Sequence, residues 1–144
     1  MTESSLLIRP FKDGDEEALV SLWNNCKLTV PWNNPYKDIT RKLKVQAELF
    51  LVGYLKDKII ASVMAGYDGH RGWINYLAVH LDFQSRGYGK QLMDNVGNRL
   101  RKLGYPKINL QIRDANNKVL SYYQKLRFVE EKRISMGKRL EDDQ

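Results

Sequence analysis

One cysteine, Cys26, stands in a chain of 144 residues. A lone thiol excludes an intrachain disulfide framework and suits a reducing compartment. Only two histidines are present, and no carboxylates cluster beside them, so the ligands for a metal centre are too few and no metal is expected. No apolar run approaches the roughly 20 residues that a membrane-spanning helix needs. The opening Met1-Thr2-Glu3-Ser4-Ser5 lacks the basic-then-apolar pattern of a secretion signal. A cytoplasmic protein without membrane contact is the expectation.

Hydrophobic residues make up 42% of the chain and charged residues 28%, the proportions of a folded protein rather than a disordered one. The length fits one domain over residues 1–144, and neither linker, repeat nor low-complexity segment divides it. The net charge of +7 favours anionic partners. The basic residues are scattered, however, and Arg41-Lys42-Lys44 and Arg99-Arg101-Lys102 read as solvated helix faces. No nucleic-acid motif accompanies them, which argues against nucleic acid.

A first strand is expected over Ser5–Pro10. Asp13 or Asp15 then offers an N-cap to a helix whose Leu19, Leu22, Trp23 and Cys26 share one face, which makes Cys26 a core residue. Prolines 31 and 35 break the chain. A second helix follows to about Ala47, with Ile39, Leu43 and Ala47 along one side. Trp32, in the polar loop between the two helices, suits either the core or the wall of a substrate pocket. Leu49–Leu55 and Lys58–Tyr67 form a hairpin turning at Lys56-Asp57, and a second turn at Asp68–Gly72 leads into a strand over Trp73–Val79. A helix from about Gly87 to Leu103 stops at Gly104. Beyond it come a strand over Lys107–Arg113, a short helix from Lys118 to about Leu126, two final strands over Phe128–Glu131 and Ile134–Arg139, and a frayed acidic tail. One mixed α/β (α+β) domain results, a mostly antiparallel sheet flanked by about four helices.

Between strand and helix lies Gln84-Ser85-Arg86-Gly87-Tyr88-Gly89, a turn suited to a pyrophosphate. A helix N-terminus presents unpaired N–H groups and partial positive charge, and glycines admit a ligand close to the backbone. It is not a P-loop, because Gln91 follows Gly89-Lys90 where Ser or Thr is required. It is not the dinucleotide fingerprint, because Leu92 replaces the third glycine.

The remaining pattern, Gln-x-x-Gly-x-Gly after a strand ending Leu77-Ala78-Val79, resembles motif A of the GNAT superfamily of N-acetyltransferases. Asn116, Val119, Tyr123, Arg127 and Phe128 resemble that family's motif B, N-x-x-A-x-x-x-Y-x-x-x-G-F, with Val119 for the small residue and Arg127 for the glycine. The order of elements agrees over most of the chain.

The resemblance implies acetyl-CoA as co-substrate. Its pantetheine arm would lie along the backbone of Leu77, Ala78 and Val79, with the Val79 N–H polarising the thioester carbonyl. Amides of Gln84, Ser85, Arg86, Gly87, Tyr88 and Gly89 would hold the pyrophosphate. Arg86 or Lys90 would add charge, and Asn116 would position the arm. Tyr123 would protonate the departing sulfur. Tyr76 stands where many relatives carry a glutamate base, so Asp68 and His70 are substitutes for proton removal, and His80 is a third possibility. Trp32, Asp68, His70 and Tyr76 are the candidate substrate-side residues. The acceptor would be an amine-bearing molecule, and the protein a monomer or a homodimer. The basic excess keeps a second reading open: a non-catalytic module that binds nucleic acid or senses acyl-CoA on the same fold.

Overall fold

The computed structural model describes residues 6–144, so the expected strand start at Ser5 lies outside the described residues. Five strands form one sheet in the order of the chain: β1 (Leu7–Pro10), β2 (Phe50–Leu55), β3 (Lys58–Tyr67), β4 (Gly72–Val79) and β5 (Ile108–Asn109). The first four run antiparallel and β5 joins β4 in parallel. Four helices cover the faces: α1 (Glu16–Asn25), α2 (Pro35–Lys42), α3 (Tyr88–Lys102) and α4 (Asn117–Lys125).

Alternation along the strands builds two cores. Phe50, Val52 and Met64 face α1 and α2 and meet Leu19, Leu22, Trp23 and Ile39. Leu51, Val63, Ala65 and Ile74 face α3 and meet Tyr88, Leu92, Val96 and Leu100. Both faces of the central strands are therefore apolar, as a sheet sandwiched between helices requires.

The turns follow from local chemistry. Lys56 and Asp57 both adopt positive φ (47° and 66°), the two-residue turn whose twist matches a hairpin. Asp15 precedes α1 but does not cap it with its side chain. Its carboxylate instead takes Arg9 at 2.7 and 3.1 Å and the Lys12 N–H at 3.0 Å. The α3 and α4 helices end alike: the Tyr105 N–H reaches back to the Leu100 carbonyl, and the Phe128 N–H to that of Tyr123, each at 3.0 Å. The left-handed residue is Gly104 in the first case and Arg127, at φ 72°, in the second. The glycine missing from motif B is thus replaced by a strained arginine. Arg127→Gly is expected to stabilise the fold by about 0.5–1 kcal/mol, since left-handed strain on a side chain outweighs glycine's looser unfolded state. Equilibrium urea unfolding reads the change.

Four expectations need correction. The second helix stops at Lys42, and Gln46 takes a left-handed φ of 56°, so Leu43 is exposed rather than aligned with Ile39. The fifth strand keeps only two residues. The final strands do not form: residues 128–140 make no ladder, and Val129, Ile134, Met136 and Leu140 stand in solvent. The acidic tail is not frayed, because Arg41 binds Asp143 at 2.6 Å and Lys37 reaches the Gln144 carbonyl at 3.3 Å.

Candidate active site

The site begins with an extra residue in β4. Ser62 pairs with Ala78 but Met64 pairs with Asn75, so three steps on β4 match two on β3. This bulge inverts the side-chain phase. Ile74 faces α3, yet Tyr76 and Ala78 face α1, while Leu77 and Val79 turn to the α3 side. Tyr76 adopts φ 52° to make the bend. Its ring stacks on Trp23 with centroids 3.9 Å apart, and the buried Trp23 indole donates to Ser62 Oγ at 2.8 Å. Ser62 donates in turn to the Tyr76 carbonyl at 2.9 Å. The bend is bolted to the core.

Beyond the bulge, β4 loses its neighbour. It pairs with β5 only at Gly72–Ile108 and Trp73–Asn109, so the strands part from Ile74 onward. The His80 N–H donates to the Ile60 carbonyl at 2.7 Å. The adjoining Ala61–Val79 pair is therefore the kind without mutual ladder bonds, and the Val79 N–H and C=O point away from β3 into the gap. The Val79 carbonyl accepts the Gln84 side-chain amide at 2.9 Å and the Cys26 thiol at 3.4 Å.

Cys26 is half-buried, and burial pushes its thiol up from the ordinary range. It is expected to label slowly with a thiol reagent in the native state, fast after unfolding, and without activity loss in Cys26→Ser. Rapid native labelling in a stopped-flow assay would contradict this placement.

A single short turn separates the gap from α3. Gly87 precedes the helix at φ 84°, and no side chain caps it, so the first N–H groups of α3 face an exposed loop. Arg86 lies with its guanidinium 5.4 Å from the centre of the Phe83 ring, beside this loop. Lys90 is paired with Asp94 at 2.8 Å, which leaves Arg86 the freer of the two expected cations.

Across the gap, α4 is capped by Asn116, whose side chain accepts the Val119 N–H at 3.4 Å. Tyr123 turns inward against the core and meets Phe128 edge-on at 5.5 Å. Tyr122 turns the other way, its hydroxyl lying against the α-carbon of Gly89: a Cβ built there would fall 2.0 Å from it and 3.7 Å from Val79 Cγ2.

A cavity of about 940 Å³ lies on the far side of β5, between residues 105–117, α4 and residues 126–135, with Asn116 and Tyr123 in its lining. None of Leu77 to Gly89 lines it. It lies beside β5, apart from the turn and gap described above.

The family model for the acetyltransferase (GNAT) family matches residues 16–128. The chain belongs to the GNAT family of acetyltransferases. An acetyltransferase of Yersinia enterocolitica is 44% identical over 137 residues, 95% of this chain and 97% of that protein. One of Pectobacterium atrosepticum is 45% identical over 136 residues, 94% and 96% of the two chains. Among solved structures, the NatC complex bound to Gag peptide and CoA superposes with a TM-score of 0.74 at 20% identity, covering 91% of this chain and 89% of that one. That likeness concerns the fold alone.

This GNAT chain places its other predicted residues unevenly. Asp68 and His70 sit at the β3–β4 turn, the opposite end of β4 from Val79 and roughly 23 Å along the strand. The Arg71 and His70 N–H groups and the Trp73 indole hold the Asp68 carboxyl down at about 2. Neither residue is in reach of a thioester at Val79, so neither carries forward as its base. His80 uses Nδ1 to accept the Asp82 N–H at 3.1 Å.

Trp32 is half-exposed, with the Arg113 guanidinium 5.9 Å from its ring centre, and with residues 139–142 and Gln144 it lines an opening of about 510 Å³. A residue not singled out in the sequence, Asp38, ties this side together. Its carboxylate takes Asn33 at 2.6 Å, the Tyr76 hydroxyl at 2.7 Å and Arg41 at 2.7 Å. Burial, then the bond to Asp38, raises the Tyr76 phenol above its ordinary range. A carboxylate satisfied by three donors is a clamp rather than a base. It fixes the Trp32 loop against the β4 bulge. No sequence signal distinguishes it from any other helical aspartate.

Proposed function

We propose that the protein transfers the acetyl group of acetyl-CoA to a primary amine. The observation that carries this reading is the Val79 N–H, turned into a gap that leads directly to the open N-terminus of α3. A gap between parted strands, edged by unpaired backbone, accepts an amide-bearing arm as a substitute strand. An uncapped helix start after a glycine turn accepts the pyrophosphate that follows such an arm.

Leu77, Ala78 and Val79 would hold the pantetheine by backbone bonds. The amides from Gln84 to Gly89 would hold the phosphates, with Arg86 adding charge, and Asn116 would serve by capping α4. When bound, acetyl-CoA supplies the activated acyl group. The Val79 N–H sits where a donor can stabilise charge growing on the acyl oxygen. A tyrosine of α4, Tyr123 by the family pattern, would donate a proton to the departing sulfur. The carboxylate beside Tyr76, that of Asp38, is already held by three donors, so the amine would lose its proton to solvent. Trp32 and Tyr76, held by Asp38, would wall the acceptor side.

The deciding experiment follows free-thiol release from acetyl-CoA with a panel of primary amines: an N-terminal peptide amine, a lysine side chain, a polyamine and an aminoglycoside. Amine-dependent release above the rate in buffer supports the reading. No release with any of them, together with no change in melting temperature on adding acetyl-CoA, would sink it.

A further inference from the structure

We infer that the acceptor is an acidic, peptide-like amine, and that Arg41 selects it by holding a carboxylate where the chain's own acidic tail now lies. The inference rests on the acetyl-transfer reading above and names the class of amine that reading leaves open. What points to it is an occupant of opposite charge on the acceptor side.

Glu141, Asp142 and Asp143 follow one another in the tail, which folds back onto α2 beside Trp32. Arg41 meets Asp143 with two parallel bonds, Nη1 to Oδ1 at 3.1 Å and Nη2 to Oδ2 at 2.6 Å. That fork is how a guanidinium recognises a carboxylate. It holds the Asp143 carboxyl below its ordinary range. Lys37 adds a bond to the Gln144 carbonyl at 3.3 Å. The Arg41 guanidinium is itself positioned, because Nη2 also donates to Asp38 Oδ1 at 2.7 Å, while Asp38 Oδ2 takes the Tyr76 hydroxyl and Asn33. One carboxylate therefore fixes both the guanidinium and the acceptor wall.

Beneath the tail the surface is cationic. Lys37 and Arg41 bind the tail from α2, and Arg113 lies with its guanidinium 5.9 Å from the Trp32 ring centre. The Asp38 carboxylate between α2 and Tyr76 is already committed to its three donors. A polyamine or an aminoglycoside would meet like charges here, whereas an anionic chain can take the tail's place. Reach agrees with this. Tyr76 stands three steps before Val79 on β4, so Arg41 lies on the order of 15 Å from the Val79 N–H. About four extended residues cover that span, enough to put an amine at the thioester and a carboxylate at Arg41. An exposed ion pair is weak, so the tail acts as a tethered competitor rather than a lock.

The test follows binding by fluorescence anisotropy, at low ionic strength, of two peptides labelled at their C-terminal ends: Gly-Glu-Asp-Asp and its neutral counterpart Gly-Gln-Asn-Asn. The acidic peptide should bind the tighter of the two, and Asp143→Asn, which releases the tail, should tighten it further by about fivefold. Adding Arg41→Gln to Asp143→Asn should remove both the gain and the preference. Adding Arg101→Gln instead lowers the net charge equally and should keep both. Arg41→Lys serves should the glutamine variant fold poorly, and it too should lose most of the preference, since an ammonium cannot form the fork. Unchanged affinity in Asp143→Asn, a preference that survives loss of Arg41, or one lost equally with Arg101 overturns the inference. Thiol release from acetyl-CoA then compares Gly-Glu-Asp-Asp with spermidine. Faster release with spermidine also overturns it, while the acetyl-transfer reading stands. No release with any amine defeats that reading instead, and leaves the peptide titrations to show an anion site without a transfer role.

Discussion

Gly89→Asp is expected to abolish the rise in melting temperature that acetyl-CoA gives the wild-type protein. A ligand that binds only the native state at a hundred times its dissociation constant stabilises it by about 2.7 kcal/mol, and this whole shift should vanish. Gly89 is buried in the first turn of α3, against the uncapped helix start. A carboxylate there competes for the N–H groups the phosphates need and repels the phosphates as well. The substitution does not simply break the helix, since an acidic residue in a first turn is favourable to the helix dipole. Its one steric conflict is with the Tyr122 hydroxyl, the far end of a side chain that can swing away. Gly89→Ala separates bulk from charge and should keep most of the shift. A folded Gly89→Asp protein that is stabilised normally by acetyl-CoA would remove the cofactor from this helix end.

Trp23→Ala should cost about 3–5 kcal/mol, the range for emptying a large aromatic from a core. Set against the 5–15 kcal/mol that typically holds a domain together, this brings the protein to the edge of unfolding. Trp23 is fully buried, lies between Tyr76 and Phe50, and carries the hydrogen bond to Ser62 that bolts the bulge. Trp23→Phe keeps most of the packing and removes only that bond, so about 1 kcal/mol should be lost. Urea unfolding of both variants checks the order. Equal costs for alanine and phenylalanine would mean that the indole N–H, not the ring, carries the residue's role.

The hairpin at Lys56-Asp57, the α3 helix and its stop at Gly104 were legible because period and turn chemistry are local. So was the glycine turn before α3. The bulge was not, since Asn75-Tyr76-Leu77-Ala78 reads as an ordinary strand, and only the pairing partners reveal an added residue. The bulge sets Tyr76 beside Ala78 on the α1 face, while Asp68 and His70, in the β3–β4 turn, lie at the other end of β4 from Val79. The alternation in Ile134–Arg139 promised a strand, yet alternation does not supply a partner, and β5 pairs for only two residues. Likewise the two tyrosines of α4 are indistinguishable by type. Their directions depend on how that helix is rotated against α3, which is a property of packing.

The chain after Phe128 has a consequence for handling the protein. Residues 129–140 are exposed and free of ladder bonds, and include Lys132, Arg133, Lys138 and Arg139. Trypsin should therefore nick this segment first, before any bond in the sheet or helices. What remains beyond the cut would be held chiefly by Arg41 and Lys37. Exposed ion pairs contribute about 0–1 kcal/mol, too little to retain a severed peptide. Limited digestion would yield a core with its sheet intact, but without the stretch that closes the opening beside Trp32.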